Sequence, residues 1–454
     1  MIEINKIMKA SIQGNKFLFI SFIALLFLRI SSTTGADISF LALALFALYG
    51  GKCLIFAYLL SWLFTLFNPV IGPEGNYASL LRYIIILFGF THVTLYILWN
   101  KKIHIQKYFI WFFLLNISIF IHSIIVSYEV AISILKLLSW AISTFTLLST
   151  WIFMNQEAKE QTYSLLISLL KIVMLTSLPF LLIPEIGFAK NGTGFQGLLN
   201  HPQAFGPTMA LLGTIMIGEI LSSRKLNIST LLWFIACVVM IILSEARTAG
   251  LALFLALTIS IILRPIFTGQ NFFDANPIFK NKYFFLWLFA VIAIIGATYP
   301  LYIDSLEGYI FKRTHSSTLV DLADASRGAL VQDMIRNISE HPLLGIGFGV
   351  ASDPNHLDVV RDPIFNLPIS AVIEKGVLPV AIIEELGFVI GTFVFCWFLY
   401  SFRQAAKSDV QKLAIALCVF CLNLGENMFF SVGGMGMLML IFFTRSISYS
   451  TKNR

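Results

Sequence analysis

The sequence predicts an all-α, polytopic membrane protein of about 12–14 transmembrane helices with one long loop on the outer side. Three observations predict it. The chain has 454 residues, of which 58% are hydrophobic and only 12% charged, with mean hydropathy +0.85; that is about half the charge of a soluble domain. Its apolar residues gather into fourteen runs, most of them close to the ~20 residues that cross a bilayer. Its basic residues concentrate in alternate connections between those runs. So little charge cannot coat a water-exposed surface, which excludes a soluble globular enzyme, a disordered chain and a disulfide scaffold.

In chain order the runs are 17–30, 37–50, 54–71, 79–99, 108–127, 131–153, 163–183, 203–222, 228–245, 247–263, 283–302, 377–402, 413–428 and 433–444. The second and the last are short, hence the range in the helix number. Lys6, Lys9 and Lys16 precede the first run. No small-residue cleavage site follows it, so a retained helix is expected rather than a signal peptide. Starting inside and alternating puts 19 of the 31 basic residues on the cytoplasmic side, together with both termini. Arg29, Arg82, Lys190 and Arg247 are the few that stand near short outer connections. The net charge of +7 therefore reads as topology and not as affinity for nucleic acid. The divisions are an N-terminal bundle (1–302), an outer loop (303–376) and C-terminal helices (377–454), together one membrane domain. Cys418 and Cys421 form a C-x-x-C inside an apolar run without a nearby histidine, which reads as packing.

Within the outer loop, residues 325–341 place Val331, Met334, Ile335 and Ile338 at helical spacing. An amphipathic helix lying on the outer surface is expected. His341-Pro342 stops it, and Gly345, Gly347 and Gly349 then make a tight turn. The glycine spacing is not that of a nucleotide-binding loop, and it follows a helix instead of a strand.

Ionisable residues near the membrane are costly and often functional. Arg247, at the outer turn SEARTAG, can hold a phosphate through two parallel hydrogen bonds, or it can snorkel and pair with Glu245. Arg327 offers a second anion contact or a solvated charge beside Asp324; Arg336 and Arg361 are weaker candidates. Glu374 and Lys375 precede the twelfth run, and Glu384 and Glu385 lie inside it. A carboxylate in apolar surroundings can serve as a general base, or it can pair with an arginine. His201, entering a helix from a polar loop, can bind substrate hydroxyls or cap the helix. Asn423, Glu426 and Asn427 suit helix–helix hydrogen bonding. No metal constellation, P-loop or cofactor motif is present. Together these residues suit an anionic, lipid-linked substrate presented at the outer leaflet.

The stretches GFQGLLNHPQAFGPTMALL, SEARTAGLALFLAL, SRGALVQDMIRNISEHPLLGIGFGVA and EELGFVIG occur in that order. Over about 195–400 the chain resembles the O-antigen ligase and O-antigen polymerase superfamily of bacterial surface-polysaccharide assembly. The block from Arg327 to Gly349 is the most specific part. The resemblance implies a metal-independent, inverting glycosyltransferase of the inner membrane with a periplasmic active site. Its donor would be an undecaprenyl-pyrophosphate-linked glycan and its acceptor a second glycan. A chain-length regulator and a flippase are the implied partners in lipopolysaccharide or exopolysaccharide synthesis. By position, Arg247 and Arg327 match the arginines that hold the donor pyrophosphate. The ligases' His-Asn pair is missing: Lys375 and Gly376 stand there. Glu374 is the nearest replacement base, ahead of Glu385, while Arg336, His201 and Lys375 are further substrate contacts. The missing histidine tilts the reading toward a polymerase, with a ligase acting on lipid A–core as the alternative. A transporter or flippase for a lipid-linked oligosaccharide, and a non-catalytic scaffold, are the readings of other classes.

Overall fold

The computed structural model describes residues 2–100, 107–224, 226–286, 331–361, 368–372 and 375–448, with 289 and 293. Arg327, Glu374, most of the eleventh apolar run and the start of the amphipathic helix lie outside the described residues. The helices are α1 (Ile2–Ser31), α2 (Thr33–Tyr49), α3 (Gly51–Thr65), α4 (Ala78–Trp99), α5 (Lys107–Val126), α6 (Val130–Phe153), α7 (Gln156–Ser177), α8 (Pro202–Ser222), α9 (Ile228–Leu243) and α10 (Arg247–Thr268). They continue as α11 (331–340), α12 (Leu378–Ser408), α13 (Val410–Leu422) and α14 (Met435–Ile447). Among the described residues, seven helical stretches are long and apolar enough to cross a membrane. The protein is all-α and polytopic, as its composition predicts.

Helices form here because each backbone group must find its partner within its own segment when no water is at hand. Lipid tails are as apolar as leucine, so helices associate by close packing. Trp62, Trp140, Trp151 and Trp397 are fully buried, and aromatic rings interlock around them. The ring centroids of Trp140 and Phe430 are 4.9 Å apart, and those of Trp397 and Phe398 5.1 Å.

Three departures from the sequence reading matter. First, the twelfth run is not one straight helix. α12 breaks at Gly387 (φ 66°, ψ 179°) into a short arm, 378–386, and a long arm, 388–408. Second, the thirteenth run stops at Leu422. α13 and α14 are 13 residues each, about 20 Å long, and residues 423–434 between them are irregular. Asn423 serves that loop as well as a neighbouring helix: its Oδ1 accepts from Met428 N and Phe429 N, both at 2.8 Å, and its Nδ2 donates to Met439 Sδ of α14 at 3.3 Å. Third, a small antiparallel hairpin adds to the helices. β1 (Asp358–Arg361) pairs with β2 (Pro368–Val372), with Val359 opposite Ala371 and Val360 opposite Ser370. Arg361 Nη2 ties it to Glu129 at the α5–α6 turn, 2.8 Å away.

Candidate functional site

One end of the bundle gathers the turn 66–77, the α5–α6 turn, the loop 183–201, the turn 244–247, the segment 341–352 and the loop 423–434. Short bonds tie these pieces together. Asn68 N donates to Leu198 O and Asn200 N to Leu66 O. Asn68 Nδ2 donates to the carbonyls of Ile186 and Gly197, both at 3.0 Å.

On this frame, α10 begins at Arg247. Its cap residue, Ala246, offers no side-chain oxygen. A cation at an uncapped helix N-terminus opposes the macrodipole, an arrangement that suits an incoming anion better than it suits the helix. Glu245, just before it, has φ 53°, the one non-glycine residue with positive φ among the described residues. Such strain persists only where surroundings enforce it, and it clusters at functional sites. Thr193 Oγ1 donates to Glu245 Oε2 at 3.1 Å and Arg247 N to Glu245 O at 3.1 Å.

His201 caps α8. Its Nδ1 accepts from Gln203 N at 3.0 Å, so the neutral ring carries its proton on Nε2. Burial, and secondarily Lys190, holds this imidazole below the usual histidine range. The folded state thus binds the proton less well than the unfolded chain. The stabilisation is present above about pH 6.5 and fades as pH falls through the lower folded value. His201→Ala should cost about 1 kcal/mol and His201→Asn a few tenths, since asparagine also caps. Melting curves of wild type and His201→Asn should diverge only below about pH 6.5; parallel curves at all pH would sink this assignment.

The second centre is the break in α12. Leaving helical geometry at Gly387 frees backbone groups on both sides, and the segment 342–347 takes them up. Ile346 N donates to Glu384 O and Gly347 N to Glu385 O, both at 3.0 Å, while Phe388 N donates to Pro342 O at 2.9 Å and Val389 N to Leu343 O at 3.4 Å. The glycine turn needs its glycines, with φ of 70°, 121° and 69° at Gly345, Gly347 and Gly349. Irregular backbone at membrane depth is tolerated when protein buries it this way.

A charged cluster seals the joint. Lys375 Nζ lies 2.7 Å from Glu384 Oε2 and 3.2 Å from Glu385 Oε1, and the three side chains are 1%, 0% and 3% exposed. The second contact is an ion pair out of line for a hydrogen bond. Glu384 Oε1 accepts from Asn337 Nδ2 at 2.7 Å. Glu385 Oε2 accepts from Gly349 N at 2.6 Å. Lys136 from α6 lies against Gly349, with its Nζ 5.5 Å from the centre of the Phe348 ring. His122 from α5 is 4% exposed and bonds the carbonyl of Leu344 through Nε2.

The predicted residues therefore divide. Lys375, Glu384 and Glu385 come together, but inside the protein. In this arrangement Glu385 is no accessible base and Lys375 no exposed anion contact, because their charges are spent on each other and on the glycine turn. Arg336 is exposed and pairs with Asp333 at 3.1 Å. α11 turns Met334 and Asn337 inward and leaves Ile335 53% exposed. Arg247 and His201 stand at the same end of the bundle on neighbouring elements. Sequence reasoning missed His122, Asn337 and the closing role of Lys136. The signal was a lone polar residue inside an apolar run, as both His122 and Lys136 are.

An apolar cleft of ≈ 360 Å³ opens between α4, α5 and α6, lined among others by Phe90, Ile97, Phe112 and Phe145. Residues 232–373, from α9 through β2, match the family model described as O-antigen ligase. The matched segment contains Arg247, Arg327 and Arg336 and ends just before Glu374. No curated protein matches the chain.

Proposed function

We propose that this chain, whose segment 232–373 matches the O-antigen ligase family model, is a membrane glycosyltransferase of the O-antigen ligase and polymerase superfamily that polymerises undecaprenyl-pyrophosphate-linked glycan units. The observation that carries the reading is Arg247: it lies within the matched segment, at an uncapped helix N-terminus behind a strained residue. Arg247 and Arg327 bind the donor pyrophosphate. An acceptor hydroxyl attacks the anomeric carbon; the new glycosidic C–O bond forms as the bond to pyrophosphate breaks, with inversion. The pyrophosphate leaves with the electron pair, and the two guanidinium groups stabilise its growing charge. Glu374 takes the hydroxyl proton. His201, through Nε2, is a contact for sugar hydroxyls. The buried Glu385 and Lys375 position the segment that follows α11. The apolar cleft between α4, α5 and α6 suits a polyisoprenyl chain. Positive charge on alternate connections supports a periplasmic site and cytoplasmic termini.

Reconstitution with the cognate undecaprenyl-pyrophosphate repeat unit as the only substrate tests this. A ladder of lengthened lipid-linked glycans is the expected product. Arg247→Ala should slow its formation roughly 10- to 100-fold, the loss of one charge-assisted contact, and Arg247→Lys by less. Transfer only after lipid A–core is added would make the protein a ligase. Absence of both products with bound donor would overturn the proposal.

A further inference from the structure

We propose that Arg82, beside the chain turn at Gly433–Gly434, is a binding site for a lipid-borne phosphate. Arg82 lies one turn inside the outer end of α4 and is part-buried, with an accessible edge. Packing against the protein takes part of its guanidinium out of water. Among the described residues no carboxylate and no carbonyl accepts a hydrogen bond from it. Two other buried or part-buried arginines find carbonyl acceptors. Arg29 donates to the carbonyls of Phe64 and Pro73. Arg264 donates to those of Ala275 and Ala406. A guanidinium cannot shed its proton, so it cannot escape the cost of desolvation by becoming neutral. An unpaired one is expensive unless an anion completes it.

The setting favours phosphate. Nη1 and Nη2 lie 3.7 and 3.9 Å from the point where a Cβ on Gly433 would stand, so no side chain at that position covers the fork. Gly433 closes the loop whose other end, Gly425, packs on Thr248, the residue after Arg247. A planar fork at the outer end of a helix matches two phosphate oxygens in parallel. Two sources reach that depth: the phosphate of a polyisoprenyl donor and the headgroup of an ambient phospholipid.

The test uses the delipidated full-length protein in detergent, with undecaprenyl phosphate, phosphatidylglycerol and phosphate-free undecaprenol as probes. Arg82→Gln should weaken at least one phosphate probe roughly 10-fold or more, Arg82→Lys should weaken it less, and undecaprenol should be unaffected. A loss confined to undecaprenyl phosphate assigns the site to the donor, and a loss for phosphatidylglycerol assigns it to the headgroup. The ligand-free Arg82→Gln protein should melt no lower than wild type, because it gives up no internal bond. Unchanged affinity for both phosphate probes, or a lower melting temperature without ligand, would overturn the proposal. Neither readout depends on glycan transfer, so the site can fail while the activity of Arg247 stands, or the reverse.

Discussion

Replacing Lys375 by methionine is expected to destabilise the protein by about 3–5 kcal/mol, the usual cost of removing one partner from a buried ion pair. The reason lies in what stays behind. Glu384 and Glu385 are 0% and 3% exposed at the side chain, and Lys375 is the cation both face. The two carboxylates cannot turn to water, because Asn337 and the amide of Gly349 hold their other oxygens. Methionine fills the lysine's volume but leaves two buried carboxylates with only Lys136 of α6 as a cation nearby among the described residues. The triple variant Lys375→Met/Glu384→Gln/Glu385→Gln should recover most of the loss. Each glutamine still offers a carbonyl oxygen to Asn337 or Gly349, and a buried pair replaced as a unit is often neutral in stability. Thiol-reactive dye melting suits the measurement, since Cys237, Cys418 and Cys421 are free and buried and report unfolding. If Lys375→Met melts with wild type, the cluster does not hold the glycine turn in place.

That cluster also marks how far the sequence could be read. The spans were legible because bilayer thickness, helix rise and the cost of unpaired backbone leave one solution for a long apolar run. The outer-end arginines were legible for a related reason: a charge between two apolar runs must lie at an interface. The role of Glu384 and Glu385 was not legible. Adjacent acids in an apolar run look alike whether they meet substrate or a buried lysine, and only the return of Lys375 to the same point decides. The loop 423–434 was hidden too. Met428, Phe429 and Phe430 carry the apolar pattern past the end of α13, while Asn423 folds the loop through bonds to the amides of Met428 and Phe429. Glu245 gave no warning of its positive φ, since a glutamate carries no turn signal. Arg82 looked like an ordinary interfacial charge until its lack of an acceptor could be compared with Arg29.

The break in α12 is the least legible feature, and Gly387→Ala probes it. Glycine is frequent in transmembrane helices, so Glu385-Leu386-Gly387-Phe388 reads as continuous helix. At φ 66° and ψ 179°, however, Gly387 occupies a region open almost only to glycine, where another residue costs about 1–3 kcal/mol. A Cβ there would also run into the carbonyl of Leu343, which adds the loss of the bonds from Phe388 and Val389 to the segment 342–343. The expected total is about 2–4 kcal/mol. Gly391→Ala, one turn along the long arm, is the control. Its Cβ would meet Ile382 Cγ2 at 3.5 Å, an ordinary contact, so the change should stay within about 1 kcal/mol and tend to stabilise the helix. Function should follow stability unequally. The segment that Gly387 admits leads back through α11 toward Arg327, so Gly387→Ala should lose glycan transfer even at temperatures where it remains folded, while Gly391→Ala keeps it. Full transfer by a folded Gly387→Ala protein would separate the break in α12 from the chemistry.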